Sequence, residues 1–221
     1  MTGKGNEPRQ AIANSLQEWQ RKEPIVTSQK FDSKNKFDPK NIEKLDRPER
    51  AQWQSITAFL EILRPQSGMT YADIGCGPGY FTLPVAERVG PKGQVYAVDL
   101  QPEMLSELAQ RAEAGGLKNI KTVRCEERRI PLPDDAVEAA CLANVYHELE
   151  DTPAFLAELR RILRPGGRLI LIDWKPIETP MGPPLSQRIP GEIIGQALQQ
   201  AGFAHRQDHD IYPYHTLIEA S

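Results

Sequence analysis

The sequence is poor in cysteine and has no long apolar run, and each absence excludes a class of protein. None of its stretches approaches the roughly 20 consecutive apolar residues that a membrane-spanning helix needs. The opening residues, MTGKGNEPRQ, lack the apolar core of a secretory signal. The three cysteines, Cys76, Cys125 and Cys141, are scattered without the spacing of a metal site, so we expect reduced thiols. These absences predict a cytoplasmic protein with no membrane partner and no metal.

Charge is nearly balanced overall, at −3, but it is unevenly distributed along the chain. Residues 1–50 hold 11 Lys and Arg against 8 Asp and Glu, a charge of +3, whereas residues 51–221 hold 16 against 22, a charge of −6. Nucleic-acid binding needs a basic face, so the acidic body argues against such a substrate. The basic first part is either a solvated segment or a means of recruiting RNA or protein.

The chain divides into three parts by composition. Residues 1–30 are polar with little periodicity, which predicts a mobile extension. Residues 31–66 contain isolated apolar residues and then a helical pattern that begins at Pro48 and stops at Pro65. Residues 67–221 form the main domain. The length suits one domain with a sizeable core.

Apolar strands and amphipathic helices alternate through residues 67–221. This alternation predicts a parallel sheet with helices on both faces. Thr152 is the expected N-cap of the helix that it begins. The expected strands are Met69–Ile74, Gln94–Asp99, Ile120–Arg124, Val137–Ala143, Arg168–Trp174, Ala204–His209 and His215–Glu219, and the expected helices are Tyr80–Val89, Pro102–Ala114, Thr152–Leu163 and Gly191–Ala201.

The stretch Tyr71–Thr82, YADIGCGPGYFT, is the most informative in the chain. Gly75, Gly77 and Gly79 follow the first strand directly and precede a helix, so a ligand can approach bare backbone and free N–H groups. A dinucleotide fingerprint needs its third glycine at the sixth position, which is Tyr80 here. The spacing therefore favours a nucleoside cofactor without a pyrophosphate.

An acidic residue followed by GxGxG resembles the class I S-adenosylmethionine-dependent methyltransferases. The resemblance extends over about residues 68–175, through the helix–turn–strand block LRRILRPGGRLILIDW. It implies a Rossmann-like three-layer α/β fold, with a mostly parallel seven-stranded sheet and an antiparallel edge hairpin. It also implies S-adenosylmethionine as cofactor and S-adenosylhomocysteine as product. The flanking stretches KFDPKNIEKLDRPER and DWKPIETPMGPP are similar to those of a subgroup near the ubiquinone/menaquinone C-methyltransferases.

The candidate cofactor residues all follow strands, where open parallel sheets bind their ligands. The Asp99 carboxylate can accept two hydrogen bonds from ribose hydroxyls, although it could instead cap the next helix. Through the resemblance, Glu126 or Glu127 accepts from the adenine amino group, with surface charge as the alternative. The full set of cofactor candidates is Asp73, Gly75, Cys76, Gly77, Gly79, Asp99, Leu100, Met104, Glu126, Glu127 and Asn144.

The stretch LANVYHELED, after the fourth strand, supplies the catalytic candidates. His147 is the first choice for a general base, because its ordinary pKa lies near neutrality, and Glu148 is the second. A structural role for His147 is the alternative. Residues 31–47 are expected to close over the cofactor as a lid, with Leu45 as one apolar anchor. The candidates on the substrate side are Phe37, which is the other anchor, Tyr146, Asp173 and Trp174.

The sequence thus predicts methyl transfer from S-adenosylmethionine to a small molecule by in-line displacement without a metal. Positioning supplies most of the catalysis, since the sulfonium methyl is already activated. Two alternatives stay open. One is an RNA or protein methyltransferase recruited through the basic N-terminal segment, and the other is a non-catalytic module that binds the cofactor. The acceptor and the oligomeric state cannot be read from the sequence.

Overall fold

The computed structural model describes residues 36–221, which form a single seven-stranded sheet flanked by helices. The strand order is β3-β2-β1-β4-β5-β7-β6; the first five strands are parallel, and β7 is antiparallel to both β5 and β6. Within this part of the chain no helix has the length and apolarity to cross a bilayer. The strands are β1 Thr70–Ile74, β2 Gln94–Asp99, β3 Ile120–Arg124, β4 Val137–Ala143, β5 Leu163–Trp174, β6 Arg206–His209 and β7 His215–Ala220.

Helices cover the sheet on both faces. The helices are α1 Arg50–Trp53, α2 Ile56–Leu63, α3 Thr82–Val89, α4 Pro102–Ala114, α5 Thr152–Ile162 and α6 Gly191–Gln200, with short 3₁₀ segments at Pro39–Leu45, Tyr146–Glu148 and Leu185–Gln187. Alternate side chains of a strand point to opposite faces. Thus Tyr71 packs in the core with α2 and α3, whereas Ala72 packs in the core with α5 and α6. The expected three-layer α/β fold is confirmed.

The expected helix from Pro48 to Pro65 is wrong as a single element, because the structure breaks it at Gln54 and Ser55. The Ser55 hydroxyl accepts a hydrogen bond from the Ala58 amide at 3.3 Å and so begins α2. The Tyr80 hydroxyl donates to the Gln54 carbonyl at 2.6 Å, and the Tyr212 hydroxyl donates to the Ser55 carbonyl at 2.8 Å. Distant tyrosines therefore stabilise a break that the apolar periodicity does not reveal.

Two element ends also differ from expectation. Asp151, not Thr152, caps α5, because its backbone is non-helical and its carboxylate accepts from the Ala154 amide at 3.1 Å. Strand β5 begins at Leu163 rather than Arg168, since Leu163 pairs with Val137 before a register shift. Neither difference moves a residue at the carboxyl ends of the strands.

Candidate functional site

A cavity of about 850 Å³ lies at the carboxyl ends of β1, β2, β3, β4 and β5. Residues directly after each of these strands contribute to its wall, as expected for an open parallel sheet. Segments from before the sheet and from the chain after β5 complete the wall. Its lining includes Phe37, Leu45, Arg50, Trp53, Asp73, Gly75, Cys76, Gly77, Tyr80, Asp99, Leu100, Gln101, Met104, Glu126, Glu127, Asn144, His147, Glu148, Trp174 and Met181.

The glycine loop presents bare backbone to this cavity. A Cβ on Gly75 would lie 2.2 Å from Cγ2 of Val145, so only glycine fits where the loop passes the end of β4. Gly77 has a φ of +51°, and its amide donates to Oδ2 of Asp99 at 2.9 Å. Gly79 does not line the cavity, because it packs against Leu83 and Leu108 under the loop. The loop is thus a cradle made by the first two glycines.

Asp99, at the end of β2, presents a buried carboxylate beside that cradle. Its two oxygens accept hydrogen bonds from the amides of Gly77 and Gln101, both at 2.9 Å. Burial outweighs these hydrogen bonds and raises the pKa of Asp99. The side-chain oxygen of Gln101 is buried and has no partner among residues 36–221, whereas its Nε2 donates to the Phe37 carbonyl at 2.9 Å. A carboxylate with spare lone pairs and an unpaired amide oxygen suit hydroxyl groups such as those of ribose.

Two glutamates and two apolar residues follow β2 and β3 at one end of the cavity. Glu127 pairs with Lys36 at 2.8 Å, whereas Glu126 is exposed and its carboxylate forms no ion pair within residues 36–221. Leu100 and Met104 supply the apolar wall beside them. The choice between Glu126 and Glu127 for adenine remains a prediction, and the free carboxylate of Glu126 favours the former.

Asp73, at the end of β1, anchors the start of α3. Its Oδ2 accepts a hydrogen bond from the Thr82 hydroxyl at 2.6 Å. Burial raises the pKa of Asp73 to about 6, against the opposing effect of that hydrogen bond. Asp73 also lines the cavity, so the predicted contact with the cofactor remains compatible with this anchoring role.

A buried polar chain, missed by the sequence analysis, runs from α1 to the end of β4. The Arg50 guanidinium donates from Nε to the Gln54 side-chain oxygen at 2.9 Å, and Asn144 Nδ2 donates to the same oxygen at 3.3 Å. Asn144 has a φ of +59°, a conformation that asparagine tolerates better than most residues. The only sequence signal was the motif RPERAQWQ, whose charged residues look like an ordinary exposed helix start.

His147 lies in the cavity wall and is held by a carboxylate behind it. Its Nδ1 lies 2.8 Å from Oδ1 of Asp173, and its backbone amide donates to Oδ2 of the same residue at 3.0 Å. Burial would lower the pKa of His147, but the Asp173 carboxylate raises it above the usual value. Nε2 lies 3.8 Å from Oε1 of Glu148, and burial raises the pKa of Glu148 to about 7. The same wall therefore holds a histidine whose pKa is raised and a carboxyl group whose pKa is about 7.

An aromatic cluster forms the wall after β5. Trp53 stacks on His215 with ring centroids 5.4 Å apart, and Trp174 lies 4.2 Å from His215. His215 is fully buried, and burial lowers its pKa to about 3, so the imidazole is neutral. Arg188 fixes the adjoining chain by donating to the carbonyls of Ile177 at 2.6 Å and of Pro183 at 3.0 Å. The two tryptophan rings thus form an aromatic surface against a buried, neutral imidazole, and the Arg188 guanidinium lies 5.2 Å from the centre of the Trp174 ring.

Two residues expected on the substrate side do not line the cavity. Tyr146 packs in the core with α5 and α6, because the 3₁₀ turn directs it beneath the sheet end. Asp173 is 1% exposed and lies behind His147, where it also accepts from the Trp174 amide at 2.7 Å. Its contribution to the site is therefore made through His147. All other site residues named from the sequence, apart from Gly79, line the cavity.

A segment before α1, here called the strap and defined as residues 36–46, crosses the cavity and is fixed at both ends. Lys36 pairs with Glu127 and also donates to the Glu148 carbonyl at 3.0 Å. Asp46 accepts two hydrogen bonds from the Arg111 guanidinium, at 2.8 and 2.6 Å. Residues 1–35, which include the predicted extension and the first part of the predicted lid, lie outside the described residues.

The sheet order, the glycine cradle and the acidic residues on successive strand ends define a nucleoside-binding α/β protein. Residues 72–171 match the family model described as "Methyltransferase domain". A solved structure of a SAM-dependent methyltransferase from Aquifex aeolicus is 36% identical, with a TM-score of 0.80; the match covers 84% of this chain and 98% of that one. The chain belongs to the S-adenosylmethionine-dependent methyltransferases.

Curated relatives add a more specific likeness. The ubiquinone/menaquinone biosynthesis C-methyltransferase UbiE of Bordetella avium (strain 197N) is 30% identical over 131 residues, 59% of this chain and 50% of the relative. The demethylmenaquinone methyltransferase of Geobacillus stearothermophilus is 31% identical over 108 residues, 49% of this chain and 46% of the relative. The matched part therefore spans about half the length of these curated relatives.

The cofactor is S-adenosylmethionine, and the residues of the cavity fit it. The absence of a Cβ at Gly75 lets the glycine loop lie against Val145 at the end of β4, and both residues line the cavity. Oδ1 of Asn144 and Oε1 of Gln101 are buried acceptors without a partner among the described residues, and both side chains line the cavity. Unpaired buried polar atoms are costly, so a polar ligand that pairs them is stabilised.

Proposed function

We propose that the protein transfers the methyl group of S-adenosylmethionine to a small-molecule acceptor, and that His147 takes the acceptor's proton. The observation that carries this proposal is the position of His147 in the same cavity wall as Gly75, Gly77 and Asp99. The bound cofactor supplies a sulfonium methyl group that is already activated for in-line displacement. The protein must then align the acceptor, exclude water and remove a proton.

Asp173 sets the tautomer and the orientation of His147, the proposed base. With Nδ1 of His147 donating its proton to Oδ1 of Asp173, the lone pair of Nε2 is the one that can accept a proton from the acceptor. The carboxylate also stabilises the imidazolium that forms. Asp173 is in turn held by the backbone amides of His147 and Trp174, so the ring is locked in orientation.

Glu148 is the second proton acceptor in the proposal. Its Oε1 lies 3.8 Å from Nε2 of His147, beyond hydrogen-bond range, so an acceptor group can lie near both. A pKa of about 7 for Glu148, which results from burial, keeps it partly ionised near neutral pH. A proton taken by His147 can therefore pass to Glu148 and out of the cavity.

The acceptor is proposed to be aromatic and uncharged. Trp53, Trp174 and Phe37 supply flat apolar surface in the wall, and aromatic rings favour stacked or edge-to-face partners. The curated relatives named above act, by their names, in ubiquinone and menaquinone biosynthesis or on demethylmenaquinone. A quinol-type acceptor fits both observations, because its hydroxyl or adjacent ring carbon becomes nucleophilic when His147 removes the hydroxyl proton.

Turnover of the methyl donor tests this function. Purified protein is incubated with S-adenosylmethionine and each of four acceptor sets: hydroquinones and naphthols, aliphatic amines, total RNA, and a protein extract. Formation of S-adenosylhomocysteine is measured by mass spectrometry. We expect turnover with the hydroxyl-bearing aromatic set and its loss in His147→Gln. Turnover with RNA or protein alone would contradict the proposal, as would cofactor binding without turnover on any set.

A further inference from the structure

The chain between β5 and α6 forms part of the cavity wall without a core of its own. Residues 175–187, here called the β5–α6 loop, contain one short 3₁₀ segment, and none of them is buried. A segment with few buried contacts is usually mobile, so its course must be fixed in another way. The loop residues that line the cavity are Met181, Gly182, Pro183 and Gln187.

Arg188, the residue directly after the loop, fixes its course. Arg188 is buried, and each of its three side-chain nitrogens donates to a neutral group of the loop. Nε donates to the Pro183 carbonyl at 3.0 Å, and Nη1 donates to the Ile177 carbonyl at 2.6 Å. Nη2 donates to the Thr179 hydroxyl at 2.7 Å and to the Met181 carbonyl at 3.0 Å. A planar guanidinium is the side chain that can serve so many acceptors in a fixed geometry.

The loop lies directly against Trp174 in the cavity wall. A Cβ on Gly182 would lie 2.9 Å from three atoms of the Trp174 ring, and Gly182 has a φ of +97°, a conformation that favours glycine. The Arg188 guanidinium lies 5.2 Å from the centre of the same ring. The ring also packs against His215 and Trp53, with centroids 4.2 and 5.6 Å away. Trp174 is thus held by both the loop and the buried aromatic cluster.

We propose that Arg188 is a positioning residue for the methyl acceptor. By fixing the loop it holds Met181 and Gly182 beside Trp174, so the loop determines which flat rings fit there. Arg188 itself does not line the cavity and acts only through the loop. The proposal rests on the proposed function for the aromatic character of the acceptor. The glycine loop and Asp99 belong to other segments of the wall, so the affinity for the cofactor should not depend on Arg188.

Binding of a second ligand to the protein saturated with S-adenosylhomocysteine tests this role without turnover. The ligands are hydroquinone and 1-naphthol, a one-ring and a two-ring phenol, and calorimetry measures their dissociation constants. Arg188→Met removes every donor, Arg188→Lys keeps the charge and some of the donors, and Met181→Ala shortens a side chain of the cavity wall.

Two variants serve as matched controls. Leu185→Ala alters an exposed residue of the same loop that does not line the cavity. Arg164→Lys alters an exposed arginine at the opposite end of β5. Neither should change the affinity for either phenol.

We expect Arg188→Met to weaken 1-naphthol by about 10- to 100-fold, because the loop must then be ordered when the ligand binds. S-adenosylhomocysteine should stay within about 2-fold, and hydrogen exchange of the loop amides should accelerate by at least about 10-fold. Arg188→Lys should restore part of the affinity for 1-naphthol. Met181→Ala should favour 1-naphthol over hydroquinone by about 3- to 10-fold relative to the wild type, since it leaves more room beside Trp174.

Equal weakening of S-adenosylhomocysteine and 1-naphthol by Arg188→Met would overturn the assignment, because Arg188 would then support the whole cavity. Faster exchange of the loop with unchanged affinity for both phenols would overturn it as well. If Arg188→Met does not fold, Arg188→Lys and Met181→Ala decide by the same criteria. Failure of the wild type to bind either phenol would overturn the proposed acceptor class together with this assignment, whereas wild-type binding that no variant changes would contradict the assignment alone.

Discussion

The cofactor part and the acceptor part of the cavity are built in different ways. The part that we propose for the cofactor consists of the glycine loop, Asp99 and Glu126, which lie at or just after the ends of three neighbouring parallel strands. The part that we propose for the acceptor brings together His147 after β4, Trp174 at the end of β5 and Trp53 from before the sheet; both tryptophan rings pack against the buried His215 at the start of β7. The first part depends on local sequence and parallel register, and the second on contacts between distant segments.

This difference predicts that the two parts can be damaged separately. A side chain that acts at the end of its own strand should affect cofactor binding and little else. A side chain held by a distant partner should affect turnover while the cofactor still binds. The following predictions test that separation, from the largest expected effect to the smallest.

His147→Gln should lower kcat by about 10²- to 10⁴-fold, the usual contribution of a general base. Because His147 belongs to the acceptor part, affinity for S-adenosylmethionine should stay within about 2-fold. Steady-state kinetics and calorimetry measure the two quantities. His209→Gln, at the far edge of the sheet, is the control. A large loss of cofactor affinity in His147→Gln would mean that the two parts are not separable.

Gly75→Ala should destabilise the fold by about 3 kcal/mol, because the new Cβ would overlap Val145 at a positive φ. Gly77→Ala should destabilise the fold by only about 1 kcal/mol. Its Cβ would meet only Leu45, at 3.7 Å, so the destabilisation comes from an alanine at a positive φ. Urea unfolding measures both values. Val145→Ala should restore part of the stability lost in Gly75→Ala and none of that lost in Gly77→Ala. Equal losses of stability in the two glycine variants would contradict the close contact between Gly75 and Val145.

Glu148→Gln should change the pH dependence of stability. The folded-state pKa of Glu148 is raised by burial to about 7, above its usual 4.5, so the protonated form is favoured by folding. Its contribution to stability is fully present below about pH 4.5 and is lost as the pH rises through about 7, on the order of 3 kcal/mol in total. In Glu148→Gln this loss should disappear. Unfolding at pH 5 and pH 8 measures it, and an unchanged difference would contradict the burial of this carboxyl.

The two ends of the strap should make small contributions to cofactor retention. Lys36→Ala and Asp46→Ala each remove a partly exposed ion pair, worth at most about 1 kcal/mol, so dissociation of S-adenosylhomocysteine should accelerate by about 2- to 5-fold. Stopped-flow fluorescence measures the rate. Lys40→Ala, an exposed lysine without an ion pair in the described chain, should have no effect. Identical rates in all three variants would remove the case for a lid.

The residues that the sequence analysis named for the cofactor, apart from Gly79, lie in one cavity wall for a physical reason. Strand ends, the glycine spacing and the acidic residues lie within a few positions of one another, and parallel strands bring their ends to one edge. The strands and the parallel sheet followed from the alternation of apolar runs, whereas the antiparallel edge hairpin was implied by the resemblance to the methyltransferases. Gly79 was the exception. A glycine is required there for packing against Leu108, and the sequence alone does not distinguish such a glycine from one that contacts a ligand.

The acceptor part could not be predicted to the same depth. His147 was identified, but its partner Asp173 was expected on the cavity wall, since the alternation along β5 does not tell which residue lies behind a distant histidine. Arg50 and Gln54 were missed because the break in their helix is stabilised by Tyr80 and Tyr212, residues 26 and 157 positions away from their acceptors. Such long-range contacts leave no local pattern.

Calorimetric titration with S-adenosylmethionine is the most direct test of the central claim that the cavity binds this cofactor through Asp99. The wild type should bind one equivalent. Asp99→Ala should bind at least about 100-fold more weakly, because two charge-assisted hydrogen bonds to the ribose are lost. No heat and no thermal shift with the wild type, or equal affinity in Asp99→Ala, would contradict the account.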